Sequence, residues 1–257
     1  MDLPRNRFKQ RLTGDAAQFG CWAGFGNAYA TEVLATTDFD WLLIDGEHAP
    51  NTVPSVLAQL QAVAPYTPAP VVRLVDHDPA LIKQVLDIGA QSLMIPMVNT
   101  AADAESLVRA MQYPPRGSRG IGGGLTRATR WGNVDDYLSR AHEELCLIVQ
   151  VESRQALDNL SAIAAVDGVD ALFIGPYDLS AGLGHPGNPG HPEVQAAIDD
   201  AIRTIQMIGK RVGVLATDPD DARRYHGMGC DFIAAGIDIL LLKQAAAEVL
   251  ASCRAPE

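Results

Sequence analysis

Residues 145–178 read LCLIVQVESRQALDNLSAIAAVDGVDALFIGPYD, and the fold follows from how this stretch is built. Leu145–Glu152 and Ala171–Gly175 are apolar, rich in Val, Ile and Leu, and lack polar alternation. A strand with one wet face alternates, so these read as strands buried on both faces, as in a parallel sheet. Residues 154–165 between them carry a helical pattern. Strand, crossover helix and strand make one βαβ unit, and its first strand ends in a carboxylate, Glu152.

The same unit recurs outward in both directions. The remaining strand candidates are Gly20–Gly24, Trp41–Asp45, Val71–Leu74, Ser92–Met97, Val212–Ala216 and Phe232–Ala235. Helical stretches lie near 27–36, 53–64, 79–88, 101–111, 192–208, 218–227 and 239–252. Asp78-Pro79, His191-Pro192 and Asp218-Pro219 place Pro at a first helical position. Strict strand–helix alternation over 257 residues predicts one (β/α)8 barrel domain spanning 1–257. Leu3, Phe8 and Leu12 suit a short N-terminal helix docked on its body. A doubly wound open sheet is the competing fold. It calls for a glycine fingerprint after the first strand, and GCWAGFGNAYA at 20–30 does not supply GxGxxG.

Two connections exceed the short-loop rule. Residues 114–133, PPRGSRGIGGGLTRATRWGN, are Gly-rich and carry Arg116, Arg119, Arg127 and Arg130 without an acid. A subunit-contact loop and part of a site are both open readings of so long a connection. Ser180–His191, SAGLGHPGNPGH, is a turn-rich loop placed to cover the barrel mouth.

Composition narrows the function. A net charge of −11, from 31 acidic against 20 basic residues, disfavours nucleic acid and anionic membrane as partners. Cys21, Cys146, Cys230 and Cys253 show no CxxC or Cys/His spacing, so neither disulfides nor a structural zinc site is expected, in keeping with a reducing compartment. Cys21 and Cys146 sit in apolar runs and read as core. No apolar h-region follows the basic N-terminus and no run reaches the length of a membrane span. A cytoplasmic enzyme acting on small molecules is the expectation.

In a barrel, polar residues at the C-terminal strand ends carry the chemistry. Here they are Asp45-Gly-Glu47-His48, Arg73, Gln150 with Glu152, and Gly175-Pro176-Tyr177-Asp178. Each alone has a bland reading: a loop cap, an ion-pair partner, a structural histidine. Their convergence on one rim favours function. Carboxylates on adjacent strands with a Gln beside them form an oxygen-only set, which suits a hard octahedral ion such as Mg²⁺ or Mn²⁺. Zinc is disfavoured, because no His/Cys trio has ligand spacing and His185 and His191 look incidental in their loop. The four lysines, Lys9, Lys83, Lys210 and Lys243, all lie away from strand C-termini, so a Schiff-base mechanism lacks its nucleophile.

Taken together, LLIDGEHAPN, VVRL, LDIGAQSLMIPMV, YPPRGSRGIGGG, VQVES and FIGPYDLSAGLG resemble the HpcH/HpaI aldolases over nearly the whole chain and in the right order. Those are class II aldolases of 4-hydroxy-2-oxo acids that use a divalent metal (Mg²⁺, Mn²⁺ or Co²⁺). The resemblance implies a (β/α)8 barrel, a homohexamer with sites near subunit contacts, and an oxo acid and an aldehyde as ligands. It makes Glu152 and Asp178 the metal ligands, His48 the base and Arg73 the stabiliser of negative charge. Gln150 and the backbone at Gly175, Pro176 and Tyr177 would hold the 2-oxo acid, and Asp87 would raise the basicity of the histidine. Asp87 precedes the fourth strand, at the opposite end from its own chain's His48, so that pairing would cross a subunit boundary. The family's loop often reads Pro-Ala-Asp or Pro-Ser-Asp where this chain has Pro176-Tyr177-Asp178. Two alternatives stand beside this reading. One is a malyl- or citryl-CoA-type lyase, which calls for greater length and a basic CoA groove. The other is a catalytically silent oligomeric binding barrel, which has no need of four convergent polar groups.

Overall fold

The computed structural model describes residues 1–254. Eight parallel strands close on themselves in chain order: β1 (Gln18–Ala23), β2 (Trp41–Asp45), β3 (Ala69–Arg73), β4 (Ser92–Ile95), β5 (Cys146–Val151), β6 (Ala171–Ile174), β7 (Arg211–Leu215) and β8 (Phe232–Ile237). The helices are α1 (Arg7–Leu12), α2 (Ala28–Ala35), α3 (Val53–Val63), α4 (Pro79–Asp87), α5 (Ala101–Met111), α6 (Tyr137–Glu144), α7 (Arg154–Asp158), α8 (Leu160–Ala164), α9 (Pro176–Gly182), α10 (Pro192–Met207), α11 (Pro219–Gly227) and α12 (Asp238–Arg254). The expected barrel is therefore present.

The proline start signals work as capping chemistry predicts. Asp78 accepts the Ala80 N–H at 2.8 Å, Asp218 that of Asp220 at 2.8 Å, and His191 Nδ1 that of Glu193 at 3.2 Å. Differences from the sequence reading are local. The single helix expected over 154–165 is broken at Asn159 into α7 and α8, and α6 and α9 fall where only loop was expected. A short 3-10 turn, Gly123–Leu125, interrupts the long Gly-rich connection.

The barrel axis is filled by aromatic rings. Trp22, Trp41, Phe173 and Phe232 point inward, and Phe8 of α1 inserts from below, its ring centroid 5.7 Å from Trp41 and 5.3 Å from Phe232. Edge-on packing of this kind adds to the gain from burial. Two glycines make room for the rings: a Cβ at Gly20 would overlap the Trp41 indole, and one at Gly213 the Phe232 ring. Helix α1 thus plugs the N-terminal end, as Phe8 and Leu12 suggested, whereas Leu3 precedes the helix and packs instead with Tyr113, Val134 and Tyr137. Cys21 and Cys146 are fully buried, also as expected.

The last helix behaves differently. In α12 only Asp238 is buried, while Leu240, Leu242, Val249 and Leu250 face outward. Asp238 anchors the start of the helix to the end of β1, accepting the N–H groups of Gly24 at 2.9 Å and Phe25 at 3.2 Å. Among the described residues no helix is long and apolar enough to cross a membrane.

Candidate active site

A cavity of about 390 Å³ opens at the C-terminal ends of the strands. His48, Arg73, Gln150, Glu152, Gly175, Pro176, Tyr177 and Asp178 all line it, together with Trp22, Asp45 and Phe173. Every residue given a role from the sequence is brought together there except Asp87. Glu47, on the same turn as His48, does not line the cavity but reaches it through its ion pair with Arg73. A larger cleft, near 800 Å³, lies between the N-terminal segment and α6, but it is lined by scattered surface charges without a convergent set.

Arg73 is the best-held group. The last residue pair in the β2–β3 register is Asp45 with Arg73, which sets their side chains next to each other. Arg73 Nε and Nη2 donate to the two Asp45 oxygens at 2.8 Å each, and Nη1 lies 2.7 Å from Glu47 Oε2. The guanidinium also sits 5.5 Å from the Trp22 ring centroid. Burial would raise the Asp45 carboxyl, but the Arg73 fork and the N–H groups of Glu47 and His48 outweigh it and hold the carboxyl below its usual range. Glu47 goes the other way: burial pushes it up, opposed by Arg73 and His48 and reinforced by Asp45 and Asp178. The turn carrying His48 is fixed by Asp45, whose Oδ1 accepts the Glu47 N–H at 3.0 Å, and by Asn51, which donates to the Asp45 carbonyl at 2.7 Å. Gly46 is required where it stands, because its N–H reaches the Arg73 carbonyl at 2.8 Å and a Cβ would strike that oxygen.

Glu152 is the most strained charge. It is 3% exposed at the end of β5. Its Oε1 accepts the Met97 N–H at 2.8 Å and its Oε2 the Gln150 amide at 3.0 Å. Met97 presents that N–H from a left-handed conformation, φ 53°, which a non-glycine residue adopts only at a cost. Gly175 admits the carboxylate, since a Cβ there would overlap Glu152 Oε2. Burial pushes Glu152 up to about 7, with Asp178 and Glu47 adding to the rise and the Met97 N–H and Arg73 opposing it. Asp178 lies in the first turn of α9 and is exposed toward the cavity side of the mouth. The Oε1 atom of Gln150 is buried without a partner. A buried carboxylate short of positive charge, a second carboxylate and an orphaned amide oxygen fit the requirements of a hard divalent cation.

Asp87 stands elsewhere. It ends α4, its Oδ1 lies 2.6 Å from Nη2 of Arg119, and its carbonyl accepts the Ala128 N–H at 3.0 Å. The Gly-rich connection thus folds against the end of α4, leaving Ile121, Leu125 and Trp131 exposed. Among the described residues no lysine lines the cavity; Lys9 and Lys210 donate to the carbonyls of Leu145 at 2.6 Å and Val169 at 2.7 Å. His185, His191 and Glu193 bring their polar atoms within 4.8 Å of one another. The two imidazoles are stacked, however, 3.5 Å apart and 15° from parallel. A ligating lone pair lies in its ring plane, so rings stacked this way do not aim at one point.

The sequence reading named His48 and Arg73 but gave Asp45 and Glu47 no role. The usable signal was charge at adjacent strand ends: a carboxylate closing β2 beside an arginine closing β3.

The profile of the family described as HpcH/HpaI aldolase/citrate lyase matches residues 18–245. The chain is 65% identical over 250 residues to a hydroxypyruvate/pyruvate aldolase of Chromohalobacter salexigens, covering 97% of this chain and 98% of that one. It is 54% identical to a 4-hydroxy-2-oxo-heptane-1,7-dioate aldolase of Klebsiella pneumoniae, covering 96% and 93%. A crystal structure of an HpcH/HpaI aldolase/citrate lyase family protein from Burkholderia cenocepacia superposes with a TM-score of 0.94 at 40% identity, covering 97% of this chain and all of that one. Both the site and these likenesses point one way: the chain is a carbon–carbon lyase of the aldolase type and belongs to the HpcH/HpaI aldolase/citrate lyase family.

Proposed function

We propose that this chain is a divalent-metal-dependent class II aldolase that cleaves or forms 4-hydroxy-2-oxo acids, with pyruvate or hydroxypyruvate as the enolate partner and an aldehyde as the other. The observation that carries the reading is Glu152, a buried carboxylate beside Asp178 and Gln150 with too little positive charge around it, in the same cavity as Arg73 and His48. Glu152 and Asp178 would hold the ion; Mg²⁺, Mn²⁺ and Co²⁺ suit the oxygen-only set. When bound, such an ion supplies positive charge next to the 2-oxo acid.

The chain's own groups divide the remaining work. Gln150 and the backbone from Gly175 to Tyr177 bind and orient the 2-oxo acid. Gly175 already donates to the Val151 carbonyl at 3.4 Å and Pro176 has no N–H, so the donor this stretch offers is the N–H of Tyr177. His48 takes the proton from the C4 hydroxyl; the C3–C4 bond breaks, its electron pair passes to the enolate, and the aldehyde departs. Arg73, already aimed by Asp45, Glu47 and Trp22, sets a fixed positive charge beside the oxygen where negative charge grows. Protonation at C3 then yields the oxo acid. In the direction of synthesis the same groups add the enolate to the aldehyde.

A homohexamer is part of the proposal. The outward apolar side chains of α12 and of the Gly-rich connection support association of copies. Asp87 is then proposed to orient His48 of a neighbouring copy, because within one chain it is bound to Arg119 at the far end.

Chelation tests the reading. Treatment with EDTA should abolish release of pyruvate from a 4-hydroxy-2-oxo acid, and Mg²⁺, Mn²⁺ or Co²⁺ should restore it. Full turnover by protein shown to be metal-free would refute the metal site.

A further inference from the structure

The barrel mouth contains a second cavity of about 380 Å³ beside the first. It lies among α9, the start of α10 and the turn from β7 into α11, with Gln195, Thr217, Asp221 and Tyr225 on its walls. Pro176, Tyr177 and Leu215 line both cavities. Pro176 is buried and Leu215 half-buried, whereas Tyr177 is 57% exposed. The ring of Tyr177 is thus the large, free side chain at the boundary.

We propose that Tyr177 is a specificity-determining residue, whose ring separates the reaction cavity from the second one and so limits the length of aldehyde the site accepts. This rests on the aldolase reading above. On that reading the backbone at 177 would hold the oxo acid whatever the side chain, and the tyrosine ring, which lines both cavities, would add volume on the aldehyde side without altering that contact. The chemistry of the second cavity states what would enter if the ring were removed. Gln195 is already committed, its amide donating to the Pro189 carbonyl at 2.9 Å and its Oε1 accepting from Arg224 at 3.0 Å and the Tyr225 hydroxyl at 3.3 Å. Arg224 in turn is paired with Asp199. The Thr217 hydroxyl and the Asp221 carboxylate lie on exposed residues, next to Asp218, which caps α11. Such a set accepts hydrogen bonds from hydroxyl groups and repels a carboxylate. The class admitted is an uncharged, hydroxylated aldehyde tail.

The test compares three aldehydes in aldol addition with hydroxypyruvate and with pyruvate, metal supplied: two-carbon glycolaldehyde, uncharged four-carbon D-erythrose, and succinic semialdehyde, which ends in a carboxylate. The reading is the ratio of kcat/KM between aldehydes, which is independent of any general loss of activity in a variant. Tyr177→Ala and Tyr177→Ser should raise the erythrose-to-glycolaldehyde ratio about tenfold or more, the scale on which pocket shape discriminates. Tyr177→Phe, which keeps the ring, should retain the wild-type ratio. Succinic semialdehyde should gain less than erythrose from ring removal. An unchanged ratio in the Ala and Ser variants overturns the assignment, and so does a Phe variant that behaves like them. Equal gains for the two four-carbon aldehydes overturn the selection of uncharged tails. Absence of turnover by the wild-type protein with every aldehyde and both donors overturns the aldolase reading itself, and this inference with it.

Discussion

The two ends of the barrel are built on opposite principles. At the N-terminal end, Phe8 closes the axis against Trp41 and Phe232, Lys9 meets Asp170 at 3.2 Å, and Arg211 meets Asp231 at 2.7 Å. Asn6 donates to both the Ser92 hydroxyl and the Glu144 carbonyl at 2.9 Å. These polar groups are partnered and the rings are covered; the exception at this end is the Gln18 amide, whose two polar atoms are buried without a hydrogen-bond partner. At the C-terminal end, Glu152 is buried without enough countercharge, Gln150 keeps an orphaned oxygen, and Met97 holds a left-handed backbone to deliver one N–H. What separates the ends is therefore not pairing alone: at the mouth the unsatisfied groups include a buried carboxylate and open into a cavity that a ligand can enter. The difference teaches where to look for function: not at the most charged cleft, but where an under-compensated buried charge lines a cavity.

Substitutions at the two ends should therefore separate activity from stability. The largest effect is expected for Glu152→Gln, which should lose metal affinity and reduce turnover by at least about 10²–10⁴-fold, the range for a lost transition-state group. Its thermal midpoint without metal should match or exceed that of the wild type, because an under-neutralised buried charge has been removed; a marked drop in that midpoint would break the comparison. Calorimetry of metal binding beside thermal unfolding reads both quantities.

Within the mouth, Arg73 and His48 should part in a second way. Arg73→Ala should depress both solvent-proton exchange at pyruvate C3 and aldol cleavage, each by about 10²–10⁴-fold, and Arg73→Lys should recover little because the planar fork is lost. His48→Ala should depress cleavage more than exchange. Deuterium exchange followed by NMR, run beside a cleavage assay, measures the split; equal proportional losses in both variants would contradict the division of roles.

At the opposite end, Phe8→Ala should cost about 3–5 kcal/mol of stability through the cavity it leaves, with kcat per folded molecule unchanged. Denaturant unfolding and active-site titration check the two halves of that statement, and a fall in kcat would mean that the plug reaches the chemistry.

Asp45→Asn sharpens the boundary, since this residue belongs to the mouth yet is fully paired. Loss of one partner of the buried fork should cost ~3 kcal/mol at neutral pH. The sign with pH follows from a depressed carboxyl: its contribution is present above the ordinary carboxylate range and is lost as pH falls through the lowered value. The wild-type protein should thus lose more stability on acidification than Asp45→Asn, and parallel acid-unfolding curves would show that Arg73 does not depend on Asp45.

Much of this was legible along the chain because it is local. Apolar runs without alternation mark buried parallel strands, Asp-Pro and His-Pro pairs mark helix starts, and a polar residue at the end of such a run must stand on the rim. That reasoning placed His48, Arg73, Gln150, Glu152 and Asp178 at one mouth, where the cavity unites them. Helices α6 and α9 were missed because each is short and borders a turn-rich stretch.

Closure of the barrel decided the rest. Only the β2–β3 register makes Asp45 the clamp of Arg73, 28 residues away, and only the meeting of β5 with β6 explains why Gly175 must lack a side chain beside Glu152. The binding of Asp87 by Arg119, the left-handed Met97 and the outward course of α12 are likewise absent from any local pattern. Periodicity and capping act within a few residues, so sequence alone determines element type and strand ends. Ion pairing and burial act through space, and they are set once distant segments have been brought together.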